Sequence, residues 1–331
     1  MMVSGILFLC RHPVSYELAL AAALMFLALG LFLFIRAFAD ERNFRLRFFL
    51  ASLCFALAVG CRPTAVFMFV LALFFVIHGI GYLRKKAALS SRFSAMRFVL
   101  ACLVLPYAIV AMPLMWYNYA RFGSITDFGA FHQLTLANMK ALPLANPIGK
   151  LLKFLSALQT YLFNPLDFSA HFPFVSLKPD FEHTQRYDVT LPVFMFNDAT
   201  IGLANLPLLW FLFNIRRVDA VMRENDALLC RLPLLLLGIG VFHILFLSLN
   251  AGIIVRYSVD FLWLFTLAAL VCALFTCRIH ADNAPLKRTM LKTVYISCAA
   301  SIAFCFFLSL VLFDATLSLS LRDYLQNLFS L

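Results

Sequence analysis

Charged side chains are scarce in this sequence, making up 13% of its 331 residues, whereas 63% of the residues are hydrophobic. A soluble domain needs a larger share of polar side chains to cover its surface, so the composition excludes that class. Phosphate-binding loops, dinucleotide fingerprints and nucleophile elbows are also absent from the sequence. What the sequence does contain is long apolar runs, and these predict a polytopic membrane protein.

Cysteine and histidine spacing gives no sign of a metal site. Seven of the nine cysteines lie in or beside apolar runs: Cys54, Cys102, Cys230, Cys272, Cys277, Cys298 and Cys305. We expect these to be small buried hydrophobic side chains. The histidines His132, His171 and His183 also lack paired ligand spacing.

Eight apolar runs are long enough to cross a hydrocarbon core that is about 30 Å thick. The predicted spans are 17–35, 46–60, 64–83, 98–116, 199–215, 232–250, 257–277 and 293–313. They predict an all-α membrane domain over residues 1–331, with about eight transmembrane helices.

The basic residues predict the orientation of these helices in the membrane. The net charge of +11 would suit a nucleic-acid partner only if the basic residues gathered on one water-facing surface. Most of them lie instead in four short loops, 36–47, 84–97, 216–231 and 278–292, which alternate crossings place on one side. The positive-inside rule makes that side cytoplasmic. The N-terminus, the turn after Gly60 and the region 117–198 are then extracytoplasmic.

The extracytoplasmic region 117–198 contains one amphipathic pattern. After Pro147, one helical face carries Ile148, Leu151, Leu152, Leu155, Leu158 and Leu162. This pattern predicts an interfacial helix on the outer surface of the membrane. A helix packed against the transmembrane helices would give the same pattern.

One arginine interrupts the apolar stretch "ALAVGCRPTAVFMF", which runs from Ala56 to Phe69. The topology places Arg62 at the outer tip of a helical hairpin, where Pro63 suits the first turn of the next helix. The span 46–60 is only about 22 Å long at 1.5 Å per residue. Arg62 therefore either occupies a recess in the outer leaflet or extends to the lipid headgroups.

Five segments, taken in order, resemble the bacterial GT-C fold membrane glycosyltransferases, relatives of the protein mannosyltransferases and of the aminoarabinose transferase that modifies lipid A. The segments are "RHPVSYELALA", "GCRPTA", "WYNYARFGSITDFGAFHQLT", "YLFNPLDFSAHFPFV" and "VRYSVDF". The resemblance implies transfer of a sugar from a polyprenyl-phosphate donor to an acceptor hydroxyl or amine at the outer face of the bacterial cytoplasmic membrane. It leaves the acceptor open and implies no nucleic acid.

The donor's phosphate needs cations at headgroup depth, and arginine suits it because its planar fork keeps its charge at any working pH. The arginines on outer turns are Arg62, Arg256, Arg121 and Arg11. Their expected role is to stabilise the leaving polyprenyl phosphate. The resemblance also implies that Tyr257, beside Arg256, helps to hold the carrier. Taken singly, each arginine fits a headgroup anchor better than a site residue, and the case for a site comes from four arginines at the same level.

The general base is harder to assign. In the family a carboxylate, often aided by a divalent metal ion, comes from the first large outer loop. That loop and the helix before it are missing from this sequence, so we expect a truncation, gene decay or a misplaced start. Glu17 and Asp127 are the best substitutes, although Glu17 also suits a helix start and Asp127 an ordinary turn.

The missing loop keeps other functions open. The chain could be a non-catalytic membrane subunit or a remnant that binds a polyprenyl lipid without chemistry. A lipid flippase or transporter fits less well, because the charges lie at span ends and the two halves do not match.

Overall fold

A computed structural model describes the chain over residues 15–40, 42–86, 91–129, 147–168, 174–177, 200–225, 231–250 and 255–312. In these residues, seven helical segments are long and apolar enough to cross a membrane. They are Glu17–Ala39, Phe44–Cys61, Pro63–Lys85, Arg92–Phe122, Leu232–Asn250, Ser258–Ile279 and Ala284–Ser309. The predicted all-α polytopic membrane architecture is thus confirmed.

The first of two compact units spans Val14–Ala141. Its helices are α1 (Ser15–Ala39), α2 (Phe44–Cys61), α3 (Phe69–Lys85), α4 (Arg92–Val99) and α5 (Leu105–Phe122). A 3-10 helix, Pro63–Met68, leads into α3, and a π-helical segment, Leu100–Val104, joins α4 to α5. The short connections make successive spans antiparallel. Glu17, the turn at Arg62 and the end of α5 therefore lie at one end of the unit.

Phenylalanine rings hold the first three helices together. Phe34 of α1 stacks on Phe75 of α3 with ring centroids 4.8 Å apart, and its edge contacts Phe48 and Phe55 of α2. All four rings are fully buried. Each such pair contributes about 0.5–1.5 kcal/mol beyond its buried area. Part of the Phe content of the sequence thus serves to interlock helices.

The connection between α1 and α2 is fixed by an arginine. Arg47 donates hydrogen bonds to the carbonyls of Arg36 (3.1 Å) and Asp40, and its Nη2 lies 2.6 Å from Asp40 Oδ2. The Arg36 carbonyl also accepts the Asp40 N–H, and the Asp40 carbonyl just after the end of α1 finds its partner in Arg47. The Arg47 guanidinium beside Asp40, followed by the Arg42 backbone N–H, lowers the pKa of that carboxyl below its ordinary value.

The π-helical segment explains how one long helix contains a proline near its middle. The Leu105 N–H bonds to the carbonyl of Leu100, five residues earlier. Pro106 has no N–H to continue the regular ladder, and the wider turn just before it accommodates that loss. The predicted span 98–116 is thus the middle of a longer helical segment, Arg92–Phe122.

The described part of the second unit begins at Pro147. Its α-helices are α6 (Pro147–Phe163), α7 (Ile215–Asn225), α8 (Leu232–Asn250), α9 (Ser258–Ile279) and α10 (Ala284–Leu312). Strands β1 (Leu166–Phe168) and β2 (Val175–Leu177) pair antiparallel, with Asp167 opposite Ser176. The 3-10 helices are Leu203–Asn205, Pro207–Asn214 and Val255–Tyr257. Most of α9 is buried against its neighbours, so it forms the centre of this unit.

The prediction of a transmembrane helix over 199–215 is wrong. The structure has an extended stretch at Thr200–Gly202 and then two 3-10 helices that end at Asn214. The α-helix that follows, α7, carries Arg216 and Arg217. Apolar content suggested a membrane span, but hydrogen bonds from asparagine side chains to the backbone, together with Pro207, divide the segment into short pieces.

The amphipathic helix predicted after Pro147 is present as α6. Ala157, Thr160 and Tyr161 are buried, and the Tyr161 ring meets Phe261 of α9 edge-on at 5.3 Å. Leu151 and Leu155 of the predicted apolar face are exposed. The C-terminal half of α6 is therefore packed on the helices of its own unit.

The cysteine prediction also holds where it can be compared. Cys54, Cys102, Cys272, Cys277 and Cys305 are buried, Cys298 is half-buried, and Cys230 lies outside the described residues.

Candidate functional site

The turn after α2 fixes the backbone of Arg62 on both sides. The Arg62 N–H bonds to the Ala58 carbonyl at 2.9 Å, and the Arg62 carbonyl accepts the Ala65 N–H at 2.9 Å. The residue is extended (φ −149°, ψ 116°), and Pro63 begins the 3-10 helix that follows. The residue is half-buried. The hairpin tip predicted from the sequence therefore exists and holds its arginine in a defined position.

The end of α2 lies well below the end of α5. A Cβ atom placed on Gly60 would lie 3.7 Å from Val110 Cγ1, so these two residues face each other. At 1.5 Å per residue, Trp116 is about 9 Å and Arg121 about 16 Å further along the axis of α5. Trp116, Tyr117 and Tyr119 are exposed there, as aromatic residues at a membrane interface are. Arg62 follows Gly60 by two residues, so its backbone lies about 6 Å below Trp116 along this axis. We call the end of the unit around Gly60 and Arg62 the recess.

Two hydroxyl groups near this end of the unit are buried. Thr64 Oγ1 and Tyr107 Oη are inaccessible to solvent and have no hydrogen-bond partner among the described residues. The Tyr107 ring contacts Phe69, the first residue of α3, edge-on at 5.1 Å. A buried hydroxyl without a partner costs about 1–3 kcal/mol, so each of them is a group that a polar ligand would stabilise.

Sequence reasoning did not single out these two hydroxyls. Thr64 follows Arg62 and Pro63 in the quoted motif, where a small polar residue is unremarkable. Tyr107 is a lone hydroxyl in an apolar run beside Pro106, and that signal could have been noticed. Whether a hydroxyl group is buried depends on which helices meet, and local sequence does not specify it.

Arg121 is held by aromatic side chains of its own helix. Its Nη1 donates to Tyr117 Oη at 2.9 Å, and its guanidinium carbon lies 5.6 Å from the Tyr117 ring centroid and 5.2 Å from that of Phe122. The side chain is exposed. An arginine lying over tyrosine and phenylalanine at the end of a span has the geometry of an interfacial anchor.

The two candidate carboxylates have different surroundings. Asp127 Oδ1 accepts the Gly129 N–H at 2.7 Å, and Gly129 has φ +79°, so this carboxylate stabilises a tight turn. Glu17 is half-buried in the first turn of α1, at the same end of the unit as Arg62. Of the two, Glu17 is the one that the topology brings near the recess.

The remaining predicted residues belong to the second unit or lie outside the described residues. Arg256 and Tyr257 form the end of a 3-10 helix directly before α9, with the guanidinium carbon 5.8 Å from the tyrosine ring centroid. Their predicted adjacency is present, and both are half-buried. Arg11 lies outside the described residues. In the described part of the chain, no three His, Cys, Asp or Glu side chains cluster as a metal ion would require.

Comparisons of the chain with family models, with curated proteins and with solved structures gave no match. The resemblance to GT-C glycosyltransferases therefore depends on the quoted motifs and on the recess. The coarse identity rests on the structure itself: the chain is a multi-pass helical membrane protein.

Proposed function

We propose that the protein binds a polyprenyl-phosphate-linked sugar in the recess at Arg62 and takes part in transfer of that sugar to an acceptor. The reaction would occur at the extracytoplasmic face of the bacterial cytoplasmic membrane. The observation that carries this proposal is the depth of Arg62 below the aromatic end of α5. A guanidinium suits a phosphate at that position because its planar fork of donors keeps its charge at any working pH.

The groups of the recess fit the phosphate of an isoprenoid carrier. The guanidinium supplies a fork of charged donors, and the hydroxyl of Thr64, two residues further along the same turn, is a neutral donor without a partner among the described residues. The isoprenoid chain would extend into lipid from this position.

In the transfer step, the bond between the anomeric carbon and the carrier's phosphate oxygen breaks, and its electron pair remains on the phosphate. The acceptor oxygen or nitrogen forms the new bond to the anomeric carbon, and its proton goes to a carboxylate. Arg62 would stabilise the charge that develops on the leaving phosphate. Glu17 is the proposed base, because it lies in the first turn of α1 at the same end of the unit as Arg62.

A second candidate is a carrier-binding subunit that performs no chemistry. The engagement of Asp127 in a turn favours this alternative. Both candidates share the phosphate site. A binding measurement therefore tests the phosphate site that both candidates share. A measurement of sugar transfer separates the enzyme from the subunit.

The test is binding of undecaprenyl phosphate to the detergent-purified full chain, measured by native mass spectrometry. We expect Arg62→Gln to weaken binding about tenfold or more, because hydrogen bonds to a charged group contribute about 1.5–3 kcal/mol. Arg121→Gln is the matched control, since it removes an arginine at the same end and should change binding less than about twofold. Equal losses in the two variants would reduce Arg62 to a membrane anchor.

Sidedness is tested separately with phosphatase fusions that are active only outside the cytoplasm. A fusion after Pro63 should be active, and a fusion after Lys86, at the opposite end of the unit, should be inactive. The reverse result would place the recess in the cytoplasm and would exclude transfer at the outer face.

A further inference from the structure

A second polar site lies at the other end of the first unit. A cavity of about 410 Å³ opens there between α2, α4 and the π-helical segment. Its polar lining consists of Arg45, Ser94 and Arg97, and its apolar lining includes Phe49, Phe98 and Ala101. We call it the basic groove. The volume falls in the range of about 300–1,000 Å³ that is typical of small-molecule sites.

Among the described residues, the two arginines of the groove have no acidic partner. Arg45 and Arg97 are both exposed, and neither forms an ion pair with any described residue. Arg47, two residues after Arg45 in α2, by contrast forms an ion pair with Asp40. The described residues that line the groove include no Asp or Glu. They bring two guanidinium groups to one cavity without supplying a countercharge.

Helix dipoles add to this positive field. Arg45 lies in the first turn of α2, where a positive side chain is unfavourable next to the positive end of the helix. Ser94 lies in the first turn of α4, and Ser91 caps that helix by accepting the Ser94 N–H at 3.1 Å through its Oγ. An anion in the groove would offset the repulsion at both helix starts.

The inner wall of the groove is apolar and structurally fixed. The π-helical segment supplies Ala101, and Cys102 Sγ donates to the Arg45 carbonyl at 3.6 Å, which holds α2 against this segment. Phe49 and Phe98 continue the apolar surface from the arginines. The groove is thus basic at one side and hydrocarbon-like at the other.

We propose that the basic groove binds the phosphate headgroup of an anionic phospholipid, with the upper part of its acyl chains against Phe49 and Ala101. The combination of unpaired basic charge and apolar lining matches an amphipathic anion better than a free one. The proposal does not depend on sugar transfer, because the groove and the recess lie at opposite ends of the first unit.

The test titrates the detergent-purified full chain with phosphatidylglycerol and, in parallel, with phosphatidylcholine, and counts bound lipid by native mass spectrometry. Phosphatidylglycerol should bind more tightly. Arg45→Gln and Arg97→Gln should each weaken its binding about fivefold, the effect expected of one basic residue near an anionic headgroup. The matched control is Arg84→Gln, an exposed arginine at the same end that does not line the groove.

Ala101→Phe tests the apolar wall and keeps both arginines. It should fill the groove and weaken phosphatidylglycerol binding, with the helical circular dichroism unchanged. Equal affinity for the two lipids, or equal losses in the Arg84→Gln control, would overturn the proposal. Inorganic phosphate that displaces phosphatidylglycerol at comparable concentration would overturn it too, because the site would then bind a free anion.

Discussion

Replacing Gly202 by alanine should loosen the segment that leads from Thr200 into the 3-10 helices. A Cβ atom at this position would lie 2.7 Å from the Phe163 carbonyl carbon and 2.9 Å from the Asn164 carbonyl oxygen. Real Cβ atoms essentially never approach that closely, and these are backbone atoms at the end of α6 that cannot rotate away. The backbone of one segment must therefore shift.

The shift would break a set of hydrogen bonds between the two segments. Asn205 Nδ2 donates to the Asn164 carbonyl at 2.6 Å, Asn164 Nδ2 donates to the Thr200 carbonyl at 2.8 Å, and the Gly202 N–H bonds to Asn164 at 3.2 Å. At about 1 kcal/mol for each bond, the loss amounts to about 3 kcal/mol. For a unit of this size, that loss lowers the melting temperature by about 6–12 °C.

A tryptophan reports directly on this region. Trp210 Nε1 donates to the Ala204 carbonyl at 2.9 Å, so its fluorescence should respond when the segment loosens. With Trp116 and Trp263 replaced by Phe, thermal melts of Gly202→Ala can be compared with those of Gly238→Ala. A Cβ atom at Gly238 meets nothing within 4 Å, and alanine favours a helix, so this control should melt at or above the parent temperature. Equal melting temperatures for the two variants would refute the contact.

Two further predictions concern the first unit. Arg47→Gln should lower the melting temperature at neutral pH, because it removes the guanidinium that keeps the pKa of Asp40 below its ordinary value of 3.8. The ionised pair contributes stability above that value and loses it as the pH falls through the lowered pKa, so the difference from the parent should shrink in melts at successively more acidic pH. Gly79→Ala should destabilise the unit, since its Cβ would lie 2.7 Å from the Phe48 ring, whereas Gly81→Ala, with nothing within 4 Å, should not. Similar melting temperatures for the two glycine variants would contradict that packing.

Local composition was enough to predict most of the membrane spans. Runs of apolar residues and the basic loops between them depend on local sequence alone, and the membrane selects for both. The prediction of a span over 199–215 failed because this segment is shaped by hydrogen bonds between residues far apart in sequence, such as the one from Asn205 to the Asn164 carbonyl. The π-helical segment before Pro106 was also missed, because apolar periodicity does not distinguish it from a regular helix.

The candidate site was only partly predictable for the same reason. Arg62 was found because a single charge in an apolar run stands out against its neighbours. Its depth, however, depends on the contact between Gly60 and Val110, which belong to different helices. The turn at Asp127 was by contrast foreseen as an alternative, because its partner Gly129 follows in the same motif. The contact of Arg121 with Tyr117 is also local, but it depends on side-chain conformations that the sequence does not specify.

The phenylalanine interlock has a consequence for biogenesis. The helix α2 is the least hydrophobic of the seven candidate spans, and its Phe55 ring lies where any side chain on Gly30 of α1 would clash. We therefore expect α2 to leave the translocon paired with α1, as a preassembled hairpin, rather than to partition into lipid alone. Synthesis of the connection between α1 and α2 would then be the step that allows these two helices to enter the bilayer together.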